Sequence, residues 1–514
     1  MHFISNPKYK LNLPVDQMKR IYFIVIILLA VLSALTYLYF SKLNKDTHIT
    51  DLSLSAATAQ SGLVFCVQNN KSVTDLLSSQ DLLQSLLSKD KQKTLLSLQS
   101  QFLNDPDLNK YLNGQNLYIS FIAAKNKNTD LLISTQINGQ NDPATLKPLL
   151  KSKVLSLTDT ADVSRLTTKD SLTFYLKQKD NLLLLSTSFK TISNNIKAEA
   201  GKTDQEFLDY IKTNLKLTSN SVASVYLNFN FQQNLLQQIS PSGLDESLML
   251  FQQQDAFACL SYNYSKEKIL FTGNTFVKSD QNYLKLFTES KAGKITIDAL
   301  LPENTANYTI YTISDYTEWS QQLHKRFTEL NKEKEIQTAL SHLDTKYHLV
   351  LQRTIPEYFK DQILTFQLSS GEKLGAINLK NGDKLSQLLL DISSDYHTEI
   401  KSFKEQDLLY YYFGDPFKSF KKPYYIIIDN AMIFANNAST LQDFLNNYSG
   451  NHLLVNNKTY VNALDQLPNT STILFYLGKK KQENTERFGT FIYQLSADHK
   501  NFQTNTLLFN NNTP

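Results

Sequence analysis

Few residues in this chain have the types and spacing that catalysis or metal binding needs. Cys66 and Cys259 are its only cysteines. They stand in two distant apolar stretches, so they either close one stapling disulfide or remain two buried thiols. No Cys-x-x-Cys exists for thiol redox chemistry or a zinc ribbon. The eight histidines are scattered. The closest set is His342 and His348 with Asp344 between them, and a spacing of six sets two rings well apart around a helix. Asp105-Pro106-Asp107 begins like a calcium loop but lacks the later acidic ligands and the glycine, so it reads as a turn or helix cap. Gly371-Glu372-Lys373-Leu374-Gly375 lacks the Lys-Ser/Thr of a phosphate loop. Gly-x-Ser-x-Gly, Gly-x-Gly-x-x-Gly and His-Glu-x-x-His are all missing from the sequence. The expectation is no catalytic residue, no metal ligand and no cofactor.

Aromatic residues offer the better lead. Tyr410-Tyr411-Tyr412-Phe413 and Tyr424-Tyr425, flanked by Lys418, Lys421 and Lys422, could stack on sugar rings or peptides or rest on lipid. The competing reading is that alternate rings fill a sheet core. Tyr410, Tyr411, Tyr412, Tyr424 and Tyr425 are therefore the candidate binding surface. Near Trp319, the pattern Trp319-Leu323-Phe327 predicts the inward stripe of a helix, with His324, Lys325 and Arg326 on its solvated face.

The elements that must position these groups follow from the rest of the chain. A length of 514 residues suggests two or three domains, and 41% hydrophobic with 19% charged residues describes a folding chain. Of the net charge of +4, the first twenty residues hold +3 (Lys8, Lys10, Lys19 and Arg20 against Asp16). The near-neutral remainder argues against a nucleic-acid partner. The 14 glycines are about 3% of the chain against a typical ~7%, which disfavours phosphate loops and nucleophile elbows.

Residues 21–40 (IYFIVIILLAVLSALTYLYF) carry no charge and, as a helix, would span about 30 Å, the thickness of a bilayer core. The preceding basic residues favour a cytoplasmic tail over 1–20. A cleaved signal peptide would have a shorter apolar region and a small-x-small site directly after it; here Tyr, Phe, Ser and Lys follow. Translation could also start at Met18. The expectation is an uncleaved transmembrane helix in a bacterial inner membrane, a polar stalk over 41–61, and periplasmic domains beyond it.

Those domains read as a duplication. Asp180-Asn181 before the apolar run Leu182–Leu185 matches Asp429-Asn430 before Ala431–Phe434, at an offset of 249. YIKTNLKLTSNSVASVYL from Tyr210 matches YVNALDQLPNTSTILFYL from Tyr460, at an offset of 250. Leu63 aligns with Tyr308, and the hairpin from Phe257 with that from Phe488. On this alignment Tyr311 and Thr490 take the places of the two cysteines. Short polar turns between strands imply antiparallel pairing. The expected fold class is α+β: a transmembrane helix, then two related modules (62–290 and 300–514) with mainly antiparallel sheets.

The repeated strand–Asp-Asn–strand units, LPENTANYTIYTISDYTEW and YYIIIDNAMIFANNASTLQDFL resemble the DUF3352 group of bacterial envelope proteins, over about residues 60–514. That resemblance implies fold and location and carries no activity. The expected function is a non-catalytic binding or scaffolding module of the envelope. Its partners would be the lipid bilayer through residues 21–40 and an envelope protein or polymer. A hydrolase with a site between the modules and a structural spacer are the alternatives.

Overall fold

In the first half the alternation of apolar residues gives β1 (Leu63–Gln68), β2 (Asn116–Ala123), β3 (Thr129–Gln136), β4 (Ser156–Thr160) and β5 (Val163–Thr167). It continues through β6 (Thr173–Lys179), β7 (Leu182–Ser186), β8 (Ala223–Asn228), β9 (Ala256–Asn263) and β10 (Lys268–Val277). Antiparallel ladders order them β4-β5-β6-β7-β3-β2-β1-β8-β9-β10. This is a computed structural model, and it describes residues 51–69, 89–123, 129–160, 162–198, 205–218, 221, 223–230, 255–263, 268–348, 351–397, 399–478 and 490–509.

After the short β11 (Gly293–Lys294), the second half supplies β12 (Thr305–Thr312), β13 (Phe359–Leu368), β14 (Lys373–Leu379), β15 (Ser393–Asp395) and β16 (Lys401–Phe403). Then come β17 (Tyr424–Ile428), β18 (Ala431–Ala435), β19 (Thr470–Ser471), β20 (Ile473–Leu477), β21 (Thr490–Asp498) and β22 (Asn501–Phe509). Their order, β15-β16-β17-β18-β14-β13-β12-β20-β21-β22, repeats the first half strand for strand. The small β11 pairs with β19 apart from the main sheet.

The registers relate the two halves residue by residue. Leu132 faces Ser186 and Leu374 faces Ala435, so an offset of 249 on β7 fixes 242 on β3. Tyr118 faces Ser134 and Leu364 faces Ala376, which fixes 246 on β2. Val64 faces Ser120 and Tyr308 faces Phe366, which fixes 244 on β1. Val64 also faces Tyr226 and Tyr308 faces Tyr476, which returns 250 on β8. That is the second offset read from the sequence.

The halves meet at their last strands. β10 and β22 pair antiparallel from Lys268↔Phe509 to Phe276↔Asn501, making one sheet of twenty strands. From Ser53 onward the chain packs as one unit.

Helices cover both faces of the sheet. On one face lie α1 (Leu52–Thr58), α5 (Phe189–Ala198) and α6 (Gln205–Thr218) in the first half, and α12 (Ala438–Ser449) and α13 (Lys458–Leu464) in the second. The other face carries α2 (Lys89–Leu98), α3 (Pro106–Leu112) and α4 (Leu146–Lys153) in the first half. Its second half carries α7 (Tyr316–Glu329), α8 (Glu333–Tyr347), α9 (Leu351–Tyr358), α10 (Gly382–Leu388) and α11 (Leu408–Phe413). Side chains fix the helix starts: Asp315 Oδ1 accepts from Glu318 N at 3.1 Å, and Asn381 Oδ1 from Lys384 N at 3.0 Å.

Three expectations change. The described residues form an α+β fold with one large antiparallel sheet, and the expected transmembrane helix is not supported. Among the described residues no helix is long and apolar enough to cross a membrane. The 15 residues of α8 reach only about 22 Å, and α8 is amphipathic. Residues 21–40 lie outside the described residues. Second, the C-terminal part of the expected stalk is α1, buried against the sheet. Ser134 Oγ donates to Ser53 O at 2.7 Å and Ser120 Oγ to Ala57 O at 2.9 Å, and small residues let the helix approach that closely. Third, Arg326 is buried. It lies three residues after Leu323, on the stripe that also carries Trp319 and Phe327.

Candidate functional site

The aromatic candidates do not form one surface. Tyr410, Tyr411 and Tyr412 lie on α11, a helix, with Tyr410 and Tyr412 buried and Tyr411 half-buried. Lys332 Nζ donates to the Tyr410 hydroxyl at 3.1 Å and sits 5.3 Å from its ring centre. Tyr412 borders a small apolar cavity of about 20 Å³ and its hydroxyl has no hydrogen-bond partner. Burial pushes that hydroxyl's pKa up. The cavity has room for one water at most. Tyr425 on β17 is buried, stacked on Phe403 at 4.6 Å, and exchanges a 2.7 Å hydrogen bond with Ser393 Oγ. Tyr424, its neighbour, points to the opposite face and is half-buried.

Cys66 and Cys259 are not bonded to each other. Cys66 on β1 faces Ser224, and Cys259 on β9 faces Tyr226, so all of β8 lies between them. Two strand spacings of about 4.8 Å exceed the reach of a disulfide. The expected staple is therefore replaced by two buried thiols in one apolar cluster, and burial pushes the Cys259 thiol's pKa up. Their register counterparts are Ile310 and Ile492, both fully buried.

The remaining candidates serve the fold. Asp105 caps α3, accepting from Asp107 N at 3.0 Å and Leu108 N at 3.2 Å. Asp344 accepts from Leu351 N at 3.2 Å, and His348 ends α8 in the left-handed region at φ 52°. Gly371 turns the β13–β14 hairpin at φ 104°. Among the described residues no three His, Cys, Asp or Glu side chains are placed to hold a metal.

The structure adds a polar constellation that sequence reasoning missed. Asp298 lies in the turn Ile297–Leu300 ahead of β12. Its Oδ2 accepts from the Tyr460 hydroxyl at 3.1 Å, and the Tyr460 and Tyr308 hydroxyls are 2.8 Å apart. Tyr308 stacks on Tyr476 at 5.0 Å. Desolvation raises the Asp298 carboxyl's pKa, against the lowering effect of the Tyr460 hydrogen bond. Burial raises Tyr308 and Tyr460 far above the usual phenol range. The two hydroxyls and the half-buried carboxyl thus form one hydrogen-bonded chain. Tyr460 aligned with Tyr210 in the sequence, but nothing there marked Asp298 as its partner.

On the other face Arg326 makes a two-pronged ion pair with Asp415, Nη2 to Oδ2 at 2.5 Å and Nη1 to Oδ1 at 3.2 Å. Its Nε donates to Gln281 O at 2.7 Å, and the guanidinium lies 5.6 Å from the Tyr283 ring. The ion pair ties α7 to the turn after α11, and the Gln281 and Tyr283 contacts tie it to the segment between the halves.

No protein family, curated protein or solved structure matches the chain.

Proposed function

We propose that the chain is a non-catalytic binding or scaffolding protein of the bacterial cell envelope, related to the DUF3352 group. In this reading it works outside the cytoplasmic membrane, with the lipid bilayer as the partner of residues 21–40. One observation carries it: two topologically identical halves are zipped through β10 and β22 into a single twenty-stranded sheet. A scaffold needs such a rigid body, which offers equivalent positions twice over. A hydrolase acting between modules would need a cleft there. The junction is instead a hydrogen-bonded ladder of nine residue pairs.

The test uses the full chain in nanodiscs, offered purified envelope polysaccharide, lipid vesicles and detergent-extracted envelope proteins, alongside a panel of hydrolase substrates. The expected result is saturable retention of one envelope component with no turnover. Turnover of a substrate, or retention of nothing, overturns the reading.

A further inference from the structure

Among the described large hydrophobic side chains left exposed, two are aromatic: Phe189 at 47% and Tyr396 at 61%. They come from different elements, α5 and the turn after β15. Each leans edge-on against a strand tyrosine. Phe189 meets Tyr175 at 5.6 Å and 68°, and Tyr396 meets Tyr424 at 5.0 Å and 70°.

Tyr175 and Tyr424 are one position of the duplicated sheet. Tyr175 faces Ser186, Tyr424 faces Ala435, and both pairs are 249 residues apart. Both tyrosines pack on the same face of the sheet. The partner ring, however, is not inherited by duplication, because the residue matching Phe189 is a buried alanine, Ala438. Each half has thus built an exposed aromatic corner on the same tyrosine by its own means. Random surface exposure predicts no such coincidence of register.

Hydrogen-bonding groups flank both corners. Arg165 faces Tyr175 across the ladder and Lys190 follows Phe189, both exposed. Asp395 and His397 bracket Tyr396, and Lys401 Nζ lies 3.7 Å from Asp395 Oδ1.

We propose that the two corners are glycan-binding subsites. Each exposed ring takes the C–H face of a pyranose, whose slightly positive hydrogens suit the negative aromatic face. The flanking charged groups take the hydroxyls. The strands β6 and β17 stand third from opposite ends of the sheet, so a polymer of repeating sugars long enough to reach both corners gains from linkage where a single sugar does not. An anionic lipid surface is the competing ligand, since Arg165, Lys190 and Lys401 stand at the corners against Asp395, and the vesicle arm of the experiment separates the two. The proposal rests on the envelope-binding reading and names its ligand class.

The experiment measures binding of the full chain in nanodiscs to a polymeric N-acetylhexosamine glycan, its monosaccharide and anionic vesicles. Variants are Phe189→Ala, Tyr396→Ala, the double variant and Tyr396→Trp. Polymer binding is expected to exceed monosaccharide binding. Each alanine variant should lose about 10-fold in affinity, corresponding to ~1.4 kcal/mol, and the double variant about 100-fold. Tyr396→Trp should retain binding, and thermal melts should be unchanged because both rings are exposed. Wild-type-like binding by the double variant overturns the proposal. So does a wild type that ignores the glycan but holds vesicles or an envelope protein, and in that case the envelope-binding reading survives. Retention of nothing overturns both.

Discussion

The two halves share every ladder of the sheet, yet they fill equivalent positions with different chemistry. Where the second half has Tyr308, the first has Val64. Tyr460 shares its hydroxyl with Asp298 and Tyr308, whereas Tyr210, its sequence counterpart, donates to the Asn274 carbonyl at 3.1 Å. Cys66 and Cys259 stand where the second half has Ile310 and Ile492. The exchange runs both ways, because on the same face the first half has Ser120 and Ser134 where the second has Phe366 and Ala376. A buried hydroxyl survives such drift only if it finds a partner. Tyr210 found a backbone carbonyl, and Tyr460 found a carboxyl.

The most damaging way to loosen the second half against the first is Arg326→Ala. The change strands Asp415 in a largely dry site and frees Gln281 O, at an expected cost of about 3–5 kcal/mol in urea unfolding. Replacing both partners by apolar residues should recover much of that loss. A cost below ~1 kcal/mol for the single variant would mean that Arg326 does not hold α7 in place.

Next comes the seam. A Cβ at Gly273 would stand 2.0 Å from the Cys259 carbonyl oxygen, so Gly273→Ala must spread the β9–β10 ladder. About 2–3 kcal/mol of destabilisation is expected. The equivalent position in β22, reached through the matching β9–β10 and β21–β22 ladders at an offset of 233, is Thr506. Its hydroxyl has no hydrogen-bond partner, and Thr506→Val should be close to neutral. Equal effects at the two positions would refute the asymmetry of the seam.

How much of this was legible depended on local chemistry. Asp180 and Asp429 turn their hairpins at φ 49° and 45°, a conformation Asp tolerates, so the repeat shows in the sequence, and ladders started at its offset of 249 return the second offset of 250. The sequence pattern sets the first strands at an offset of 245, whereas the ladders give 244. A one-residue slip turns every side chain to the other face, so Cys66 was matched to Tyr311 instead of Ile310. The last hairpin was aligned at 231 against 233, an even slip that keeps the faces and hides the error. Tyr410–Phe413 suits strand and helix alike. It folds as a helix between Asp407 at φ 59° and Gly414 at φ 74°. Asp298 and Tyr460 are 162 residues apart, and no local pattern ties them.

The polar network offers the third comparison. Tyr460→Phe leaves the Tyr308 hydroxyl buried without its partner and should cost about 2 kcal/mol, while Tyr210→Phe loses one hydrogen bond and about 1. The pH dependence sharpens this. Because desolvation raises the native Asp298 pKa, the folded state holds that proton more tightly than the unfolded chain does. The resulting stabilisation is complete below the ordinary value of 3.8, declines above it, and is gone once the pH passes the raised native value. Asp298→Asn should remove that portion of the pH dependence. An unchanged pH profile in the variant would show that Asp298 does not carry it.

The smallest effect is expected at the cysteines, and it separates the two accounts of them cleanly. A disulfide closing the long loop from Cys66 to Cys259 would contribute about 5 kcal/mol by chain-entropy arguments, and reduction would lower the melting temperature by many degrees. With β8 between the strands, the melting temperature should be the same with and without reductant. Cys259→Val moves the first half toward the second, where Ile492 fills the same place. The buried thiol acts there as a small hydrophobe, so the change should stay within about 1.5 kcal/mol in either direction. If reduction instead lowered the melting temperature, β1 and β9 would have to approach each other without β8 between them. The shared strand order of the two halves would then fail at its centre.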